Sequence, residues 1–340
     1  RSTQGVSSAA SDVYKRQLLR EEVYRATQGK IDFFQTPKFV RIARYGKKIQ
    51  MNEGVCPAYS DCRMGLSPDR FILSYCDRAL GITSAEEQPV LPKGNNLSLH
   101  LLELFTSQVA KVGMTDGIRQ VLQEESDALR AYYEQAGILI ARPAGGTSCR
   151  LAISAKGGTN AENHNHNDVG SYAVALGSET MVGDQGGPNS YPGDYFNGDA
   201  PQKYKIKGSF GHPVPVVDGR TQSSGGKAKG VVLQKEFTNE KDVFSIDYTS
   251  AYSTPNLDKL IRTFVYDRQG KGSFTVGDEF TAKTPIRFET AITTRADWKV
   301  LDDTHLLLAT DSEQMIVAID ASGKVAFTSE TIEVNSPAYT

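Results

Sequence analysis

Lys156–Tyr172 reads KGGTNAENHNHNDVGSY, and this stretch decides both the fold and the chemistry expected of the chain. Its centre, Asn163–Asp168, alternates asparagine with histidine and ends in aspartate. Such a run is too polar for a core strand, and its side chains are of the types that bind metals and transfer protons. The alternating apolar residues Tyr172, Val174 and Leu176 follow at once and predict a strand. We therefore expect the polar cluster to lie where a loop enters a sheet.

The hydrophobic period changes from helical to extended near Gly137. Upstream of this residue, apolar side chains recur at helical spacing, as in the amphipathic stretch Thr115–Glu134. Downstream, short alternating runs separated by turn residues begin with Ile138–Arg142. Many short strands without intervening helices are typical of an antiparallel sandwich. The sequence thus predicts an α+β chain with a helical domain over residues 18–137 and a β-sandwich domain over residues 138–340.

Residues 1–17, RSTQGVSSAASDVYKRQ, are rich in Ser, Ala and Gln and carry no apolar period. Part of this segment, SSAASDVYKRQ, resembles a translated sequencing adapter, so we expect a non-native tail without function. The segment also lacks the apolar centre of a secretory signal peptide. Within the helical domain, Glu86–Asn96 has the proline and glycine content of a linker, and a helical run is expected over Leu97–Val109.

The composition is that of an ordinary globular protein of 340 residues, of which 39% are hydrophobic and 23% are charged. The formal net charge of −2 provides no general attraction to nucleic acid or to an acidic membrane surface. No apolar run reaches the roughly 20 residues that a membrane span needs. An anionic partner would therefore have to be held by a local basic patch.

The four cysteines are too few and too scattered for a disulfide scaffold. Cys56 and Cys62 are close enough in sequence to pair across a short loop in an oxidising compartment. Buried thiols are the equally compatible alternative. Oligomeric state has no signature in this sequence.

Three separate segments carry candidate metal ligands. His164 and His166 are two residues apart, so their side chains would share one face of an extended segment. Asp184 stands at a predicted strand end before a glycine turn, and His212 precedes another predicted strand. A His/Asp/His set is common zinc chemistry. Loop residues that satisfy backbone groups would give the same pattern, so both interpretations stay open on residue types alone.

The same segments resemble the signature of the heparinase II/III-like polysaccharide lyases. The similarity rests on KGGTNAENHNHNDVGSY, on VGDQGG (Val182–Gly187), on GHPVPVVDG (Gly211–Gly219) and on the strand LIRTFVYDR (Leu260–Arg268). It covers residues of roughly 138–280 and, more weakly, the 51–65 loop. The resemblance implies a partial α/α toroid followed by an antiparallel β-sandwich, which agrees with the change of period. Because the helical part is short for a whole toroid, we expect an N-terminally truncated one.

The resemblance also implies roles for the polar cluster. His164 would be a catalytic histidine that faces the substrate, whereas His166, Asp184 and His212 would hold a structural zinc ion. The implied reaction is β-elimination on a uronic-acid-containing glycan. In this reaction the C5 proton is removed and the departing glycosidic oxygen is protonated. Histidine suits the proton transfer because its pKa lies near neutrality.

Further candidates come from the neighbouring loops. The resemblance implies that the family's catalytic tyrosine lies on toroid helices that this chain is expected to lack. Tyr191 is a candidate catalytic residue in the loop between Asp184 and His212, where it could line the substrate cleft. The candidate substrate-binding residues are Asn163, Asn165, Tyr195 and Lys205. Tyr204, Lys203 and Lys207 lie in the same loop. Ordinary loop aromatics are the alternative interpretation of the three tyrosines, and a solvated strand edge is that of the lysines. Asp61 and Arg63 of the 51–65 loop are weaker candidates.

Three functions are compatible with these residues. The first is a bacterial polysaccharide lyase, periplasmic or secreted by resemblance, of which this chain would be a fragment that can lack activity. The second is a non-catalytic glycan-binding protein with a structural zinc ion. The third is a hydrolase that uses the metal directly, in which chelation would abolish activity without unfolding the protein. Heparin or heparan sulfate, alginate, chondroitin and hyaluronan-like chains are all compatible substrates.

Overall fold

The computed structural model of the chain describes residues 19–82, 100, 111–188 and 190–332. The predicted tail, the predicted linker and, apart from residue 100, the helical run expected over Leu97–Val109 lie outside these residues. The chain divides into two compact units. Of the described residues, those within 51–66 and 129–332 belong to the sheet unit, and those within 19–50 and 67–128 belong to the helical unit.

The helical unit is built from amphipathic helices that share one apolar cluster. Its elements are a helical segment over residues 19–26, a 3-10 turn (Phe33–Gln35), α1 (Pro37–Lys48), α2 (Arg70–Ala79) and α3 (Asp116–Glu124). The Asp69 carboxylate accepts from the first backbone N–H groups of α2, and Thr115 does the same for α3. Val40, Tyr75 and Ile118 meet in the cluster between these helices. An α/α toroid stays a prediction for this unit.

The predicted helical stretch Thr115–Glu134 is wrong beyond Glu124, because Arg130–Tyr133 forms a strand, β1. This strand pairs antiparallel with β2 (Ile138–Ala141). The predicted boundary at residue 137 therefore falls in the turn between them. Gly137 has a φ of +62°, and a Cβ there would lie 2.6 Å from the backbone nitrogen of Gly158. The glycine is thus required by a tight turn and a close backbone contact, and it does not end a helix.

The sheet unit contains two larger antiparallel sheets. The first has the order β1-β2-β3-β5-β6, with β3 (Leu151–Lys156), β5 (Tyr172–Leu176) and β6 (Glu179–Val182). The second has the order β12-β11-β10-β9, with β9 (Val231–Phe237), β10 (Lys241–Asp247), β11 (Leu257–Asp267) and β12 (Ser273–Ala282). Side chains of both sheets, among them Ile153, Val174, Phe244 and Phe264, form one hydrophobic core. The α+β class with an antiparallel β-sandwich is thereby confirmed.

Shorter strands complete the sheet unit. They are β4 (Thr159–Asn160) paired with β8 (Gly225–Lys229), β7 (Val216–Val217) paired with β13 (Phe288–Glu289), and the three-stranded sheet of β14 (Asp297–Asp302), β15 (His305–Ala309) and β16 (Gln314–Ala318). One helical turn, α4 (Ala200–Lys203), and two 3-10 turns (Ser209–Gly211 and Thr249–Ala251) lie in the connections. The loop between β4 and β5 carries the Asn163–Asp168 cluster, as the sequence predicted.

All four cysteines are buried thiols, which is one of the two alternatives that the sequence left open. Burial raises the pKa of the Cys56 thiol to about 12. Within the described part of the chain, the helices are too short or too polar to cross a membrane.

Candidate metal centre and active site

His166, Asp184 and His212 come together in the sheet unit. His166 lies between β4 and β5, Asp184 follows β6, and His212 follows the 3-10 turn before β7. One ligand atom from each residue lies within 4.8 Å of the others, and the two imidazole centroids are 5.1 Å apart. All three residues are at most 1% exposed. This group, called the metal group below, can hold a metal ion.

The hydrogen bonding of the metal group fits an ion. Among the described residues, four of its buried atoms have no hydrogen-bond partner, namely His166 Nδ1, Asp184 Oδ2, His212 Nδ1 and His212 Nε2. Asp184 Oδ2 and His212 Nδ1 are 3.1 Å apart, which is ion-pair distance without the geometry of a hydrogen bond. Buried polar atoms are normally satisfied, so a missing ligand is the simplest explanation. Two imidazoles and a carboxylate form a donor set that suits zinc.

The pKa values of the metal group follow from its burial. Burial lowers the pKa of His166, which is therefore neutral, as a metal-binding imidazole must be. Burial acts in the same direction on His212, but the neighbouring Asp184 charge outweighs it and raises the pKa of that histidine. Burial would raise the pKa of Asp184, yet the His212 charge holds it below its ordinary value. Each of these two residues therefore favours the charged form of the other.

Asp61 joins the metal group to His164. His166 Nε2 donates to Asp61 Oδ1 at 3.1 Å, and His164 Nδ1 donates to Asp61 Oδ2 at 2.7 Å. Burial would raise the pKa of Asp61, but the hydrogen bond and charge of His166, with the hydrogen bond from His164, hold it below its ordinary value. The ionised carboxylate is therefore the acceptor in both bonds. The sequence had made Asp61 only a weak candidate, because 103 residues separate it from His164.

His164 lies at the surface of this arrangement. Its side chain is 44% exposed, whereas that of His166 is fully buried. The φ of His164 is +59°, a left-handed conformation that is uncommon for residues other than glycine and that clusters at functional sites. The imidazole also packs edge-on against Phe196, with ring centroids 5.4 Å apart.

Aromatic side chains of the loop after β6 lie beside His164. Tyr191 and Phe196 are 44% and 55% exposed, and their ring centroids are 5.1 Å apart. Burial, followed by the Asp61 charge, raises the pKa of Tyr191. Tyr195 is fully buried, and its hydroxyl lies 3.3 Å from His166 Nε2, so contact between Tyr195 and a sugar would require rearrangement. The sequence analysis does not identify Phe196. The only signal for it is the high aromatic content of its loop.

The other predicted substrate-binding residues are more dispersed. Asn163 is exposed, and Asn165 is half-buried and donates to the backbone oxygen of His166. Lys205 is exposed, and its ammonium group pairs with Glu330. Lys207, by contrast, is buried, lies over the rings of Tyr195 and Phe196, and donates to the Tyr195 carbonyl at 2.8 Å. The structure therefore brings His164, Tyr191 and Tyr195 to the metal group, together with Asp61, Phe196 and Lys207.

Comparison with known proteins identifies the fold. No protein-family model matches the chain, and no curated protein matches it by sequence. Heparan sulfate lyase HepC from Pedobacter heparinus matches with a TM-score of 0.67 and 13% identity, over 100% of this chain and 49% of that chain. A crystal structure of heparinase III matches with a TM-score of 0.60 and 16% identity, over 97% of this chain and 49% of that one. The chain has the heparinase III-like fold, as the motifs implied, and spans about half the length of these two proteins.

Proposed function

We propose that this chain is the sandwich-bearing part of a polysaccharide lyase that cleaves a uronic-acid-containing glycan by β-elimination. The observation that carries the proposal is the half-exposed, left-handed His164, which hydrogen-bonds the same carboxylate as a histidine of the buried metal group. The fold shared with heparan sulfate lyase and heparinase III supports this reaction class. Because the chain spans about half the length of those proteins, the activity is proposed for the full-length protein that carries it.

His164 is the proposed base. Its Nδ1–H is directed at Asp61, which leaves Nε2 as the ring nitrogen that accepts a proton. A neutral imidazole with that tautomer can remove the C5 proton of a uronate whose carboxylate is neutralised. The half-exposed position of His164 gives a glycan access to this nitrogen.

Tyr191 is the proposed acid among the residues of this chain. Its raised pKa keeps the phenol protonated at neutral pH, so the hydroxyl can donate a proton to the departing glycosidic oxygen. The exposed rings of Tyr191 and Phe196 offer apolar faces on which a sugar ring can stack. Asn163, Asn165, Tyr195 and Lys205 stay predicted contacts for an acidic polysaccharide.

Zinc is the proposed ion, in a structural role. It would be held by His166 Nδ1, Asp184 and a ring nitrogen of His212, and when bound it would cross-link three loop segments of the sheet unit. Because these ligands are at most 1% exposed, a glycan has no direct access to the ion, which disfavours the metal-dependent hydrolase. Since polysaccharides of this class lie outside the cytoplasm, we also propose a periplasmic or secreted location.

The proposed function is tested by measuring the ultraviolet absorbance of the unsaturated product. The full-length protein that carries this chain is incubated with heparan sulfate, alginate, chondroitin and hyaluronan. We expect product from at least one glycan, and a rate about 10²–10⁴-fold lower for His164→Ala with unchanged zinc content. If both forms bind a glycan equally and neither yields product, the protein is a glycan-binding protein and the lyase proposal fails.

A further inference from the structure

We propose that Asp61 is a positioning residue through which the metal group fixes the orientation of His164. The importance of His164 rests on the proposed function, but the contacts that carry the inference do not depend on the reaction. Three observations carry it. Two histidines share the Asp61 carboxylate, two residues at this contact (Ser60 and His164) have left-handed backbones, and the Asp61 loop packs so closely on the VGDQGG turn that only glycine fits there.

The first contact is the division of one carboxylate between two histidines. Asp61 is 5% exposed and gives one oxygen to His166 Nε2 and the other to His164 Nδ1. By accepting from Nε2, Asp61 selects the His166 tautomer whose Nδ1 carries the lone pair. That nitrogen has no hydrogen-bond partner among the described residues, so its lone pair is available to a metal ion. The same carboxylate therefore prepares a ligand and orients His164.

The backbone on both sides of this contact is left-handed. His164 has a φ of +59°, and Ser60, which immediately precedes Asp61, has a φ of +58°. Of the residues that the structure describes, only four non-glycine residues have a positive φ, and two of them flank this one contact. Such conformations carry strain and persist only when the surroundings hold them. The Asp61–His164 hydrogen bond links the two left-handed segments.

The glycines of the VGDQGG motif allow the Asp61 loop to approach. A Cβ on Gly186, whose φ is +70°, would lie 1.6 Å from the Cys62 carbonyl oxygen. A Cβ on Gly187 would lie 2.8 Å from the Asp61 carbonyl oxygen. The turn after Asp184 and the Asp61 loop are therefore packed backbone against backbone. Hence the segment that supplies a metal ligand also fixes where Asp61 stands.

Buried charges complete the surroundings of Asp61. Lys207 is buried in the same loop region, with its ammonium group over the rings of Tyr195 and Phe196. The Tyr195 hydroxyl lies next to the same His166 nitrogen that donates to Asp61. A buried carboxylate with a cation nearby and two imidazole donors is well fixed, so its position can transmit a change at His166 to His164.

The test uses zinc alone as the probe and nuclear magnetic resonance of ¹⁵N-labelled histidine rings as the readout. In the wild-type chain we expect zinc to shift the ring signals of His164 as well as those of His166 and His212. The His164 signals are assigned with a His164→Gln variant. In Asp61→Ala we expect zinc to bind about 10–100-fold more weakly, as measured by chelator competition, and the His164 signals to stop responding to zinc.

The controls make the outcome decisive. Gly145→Ala adds a Cβ where nothing lies within 4 Å, and we expect wild-type zinc affinity and wild-type histidine signals. Asp61→Asn keeps the side-chain shape and replaces Asp61→Ala if that variant does not fold. It is judged by the same two readouts, which are zinc affinity and the response of the His164 signals to zinc. Zinc affinity within twofold of wild type with a responsive His164 in the Asp61 variants would overturn the inference, as would a wild-type chain that binds no zinc. If zinc affinity and the His164 ring signals respond to the Asp61 variants as expected but the protein forms no lyase product, only the proposed function is rejected.

Discussion

His164 and His166 are two residues apart, yet their side chains have different surroundings because the backbone between them is not extended. In a strand both imidazoles would share one face, as the sequence predicted. The left-handed φ of His164 breaks that alternation, so its ring is half-exposed while the ring of His166 is fully buried. Asp61 nevertheless contacts both rings. One short motif can therefore supply a metal ligand and a surface proton acceptor.

Alanine variants of the two histidines should differ in their affinity for zinc. Replacing His166 with alanine removes a ligand from a fully buried group, so we expect a loss of zinc affinity beyond the roughly 10–100-fold typical of an outer-sphere partner. Replacing His164 with alanine leaves the three ligands in place. Zinc content is measured by elemental analysis after dialysis against a weak chelator. Equal zinc content in the two variants would contradict the division of roles.

Gly186 offers a second residue-scale prediction. Alanine at this position would have an unfavourable positive φ and a Cβ 1.6 Å from the Cys62 carbonyl oxygen. We expect Gly186→Ala to lower the free energy of unfolding by about 2–4 kcal/mol, through strain and overpacking together. The matched variant Gly145→Ala, with open space around its Cβ, should stay within about 0.5 kcal/mol of wild type in urea unfolding. A Gly186 variant as stable as this control would show that the Asp61 loop can move away from the turn after Asp184 at little energetic cost.

Strands and helices that are encoded by short-range sequence patterns can be predicted from this sequence, whereas those that depend on tertiary contacts cannot. The strand at Tyr172–Leu176 and the helix that begins near Thr115 follow from hydrophobic periodicity, and the structure confirms both. The strand β1 was missed because it has four residues, and its stability comes from tertiary contacts such as those of Tyr132 with Phe237 and Phe244. Residue types mark the three metal-group residues as candidate ligands, and the motif resemblance implies that they hold zinc. Asp61 stayed a weak candidate, since its contacts with His164 and His166 depend on how a distant loop packs.

The strand β11 supports two segments of the site through one buried side chain. Arg262 donates to the carbonyl oxygens of Gly170 and Pro213, and it pairs with Asp278 on β12 at 2.6 Å. Gly170 ends the loop that carries His166, and Pro213 follows His212. A central strand thus holds the loops that carry two of the three metal ligands.

Replacing Arg262 with methionine should be strongly destabilising, because it leaves Asp278 uncompensated and two buried carbonyls without this donor. We expect a loss of about 3–5 kcal/mol in the free energy of unfolding. The double variant Arg262→Met with Asp278→Leu should recover part of that loss, since it removes the unpaired charge. Chemical denaturation of the wild type, both single variants and the double variant forms the required cycle. Additive losses would mean that the two side chains do not act as a pair.

At the scale of the whole molecule, the cysteines report on the integrity of both units. Cys76 lies in the helical unit and the other three lie in the sheet unit, and all four are buried thiols. Because burial raises the pKa of Cys56 to about 12, its reactive thiolate is scarce at pH 8. We expect an aromatic disulfide reagent to find no rapidly reacting thiol in the folded protein and four after denaturation. Two reactive thiols in the denatured protein would instead indicate a Cys56–Cys62 disulfide.

Metal removal tests how far the metal group organises the sheet unit. Its ligands come from three segments that are distant in sequence, so a bound ion would restrain all of them at once. An ion at 100 times its dissociation constant stabilises the folded state by about 2.7 kcal/mol. Chelation should therefore speed amide hydrogen exchange in the segments around His166, Asp184 and His212, and in the Asp61 loop that contacts His166.

The sheet of β14, β15 and β16 contributes no residue to the metal group and should exchange at the same rate with or without zinc. Hydrogen exchange followed by mass spectrometry resolves these segments in a single experiment. For a structural ion, loss of lyase activity should follow the loosening of the His164 loop and return with zinc. If chelation abolishes turnover at once while the exchange rates stay unchanged, the ion takes part in the chemistry, and the metal-dependent hydrolase becomes the better explanation.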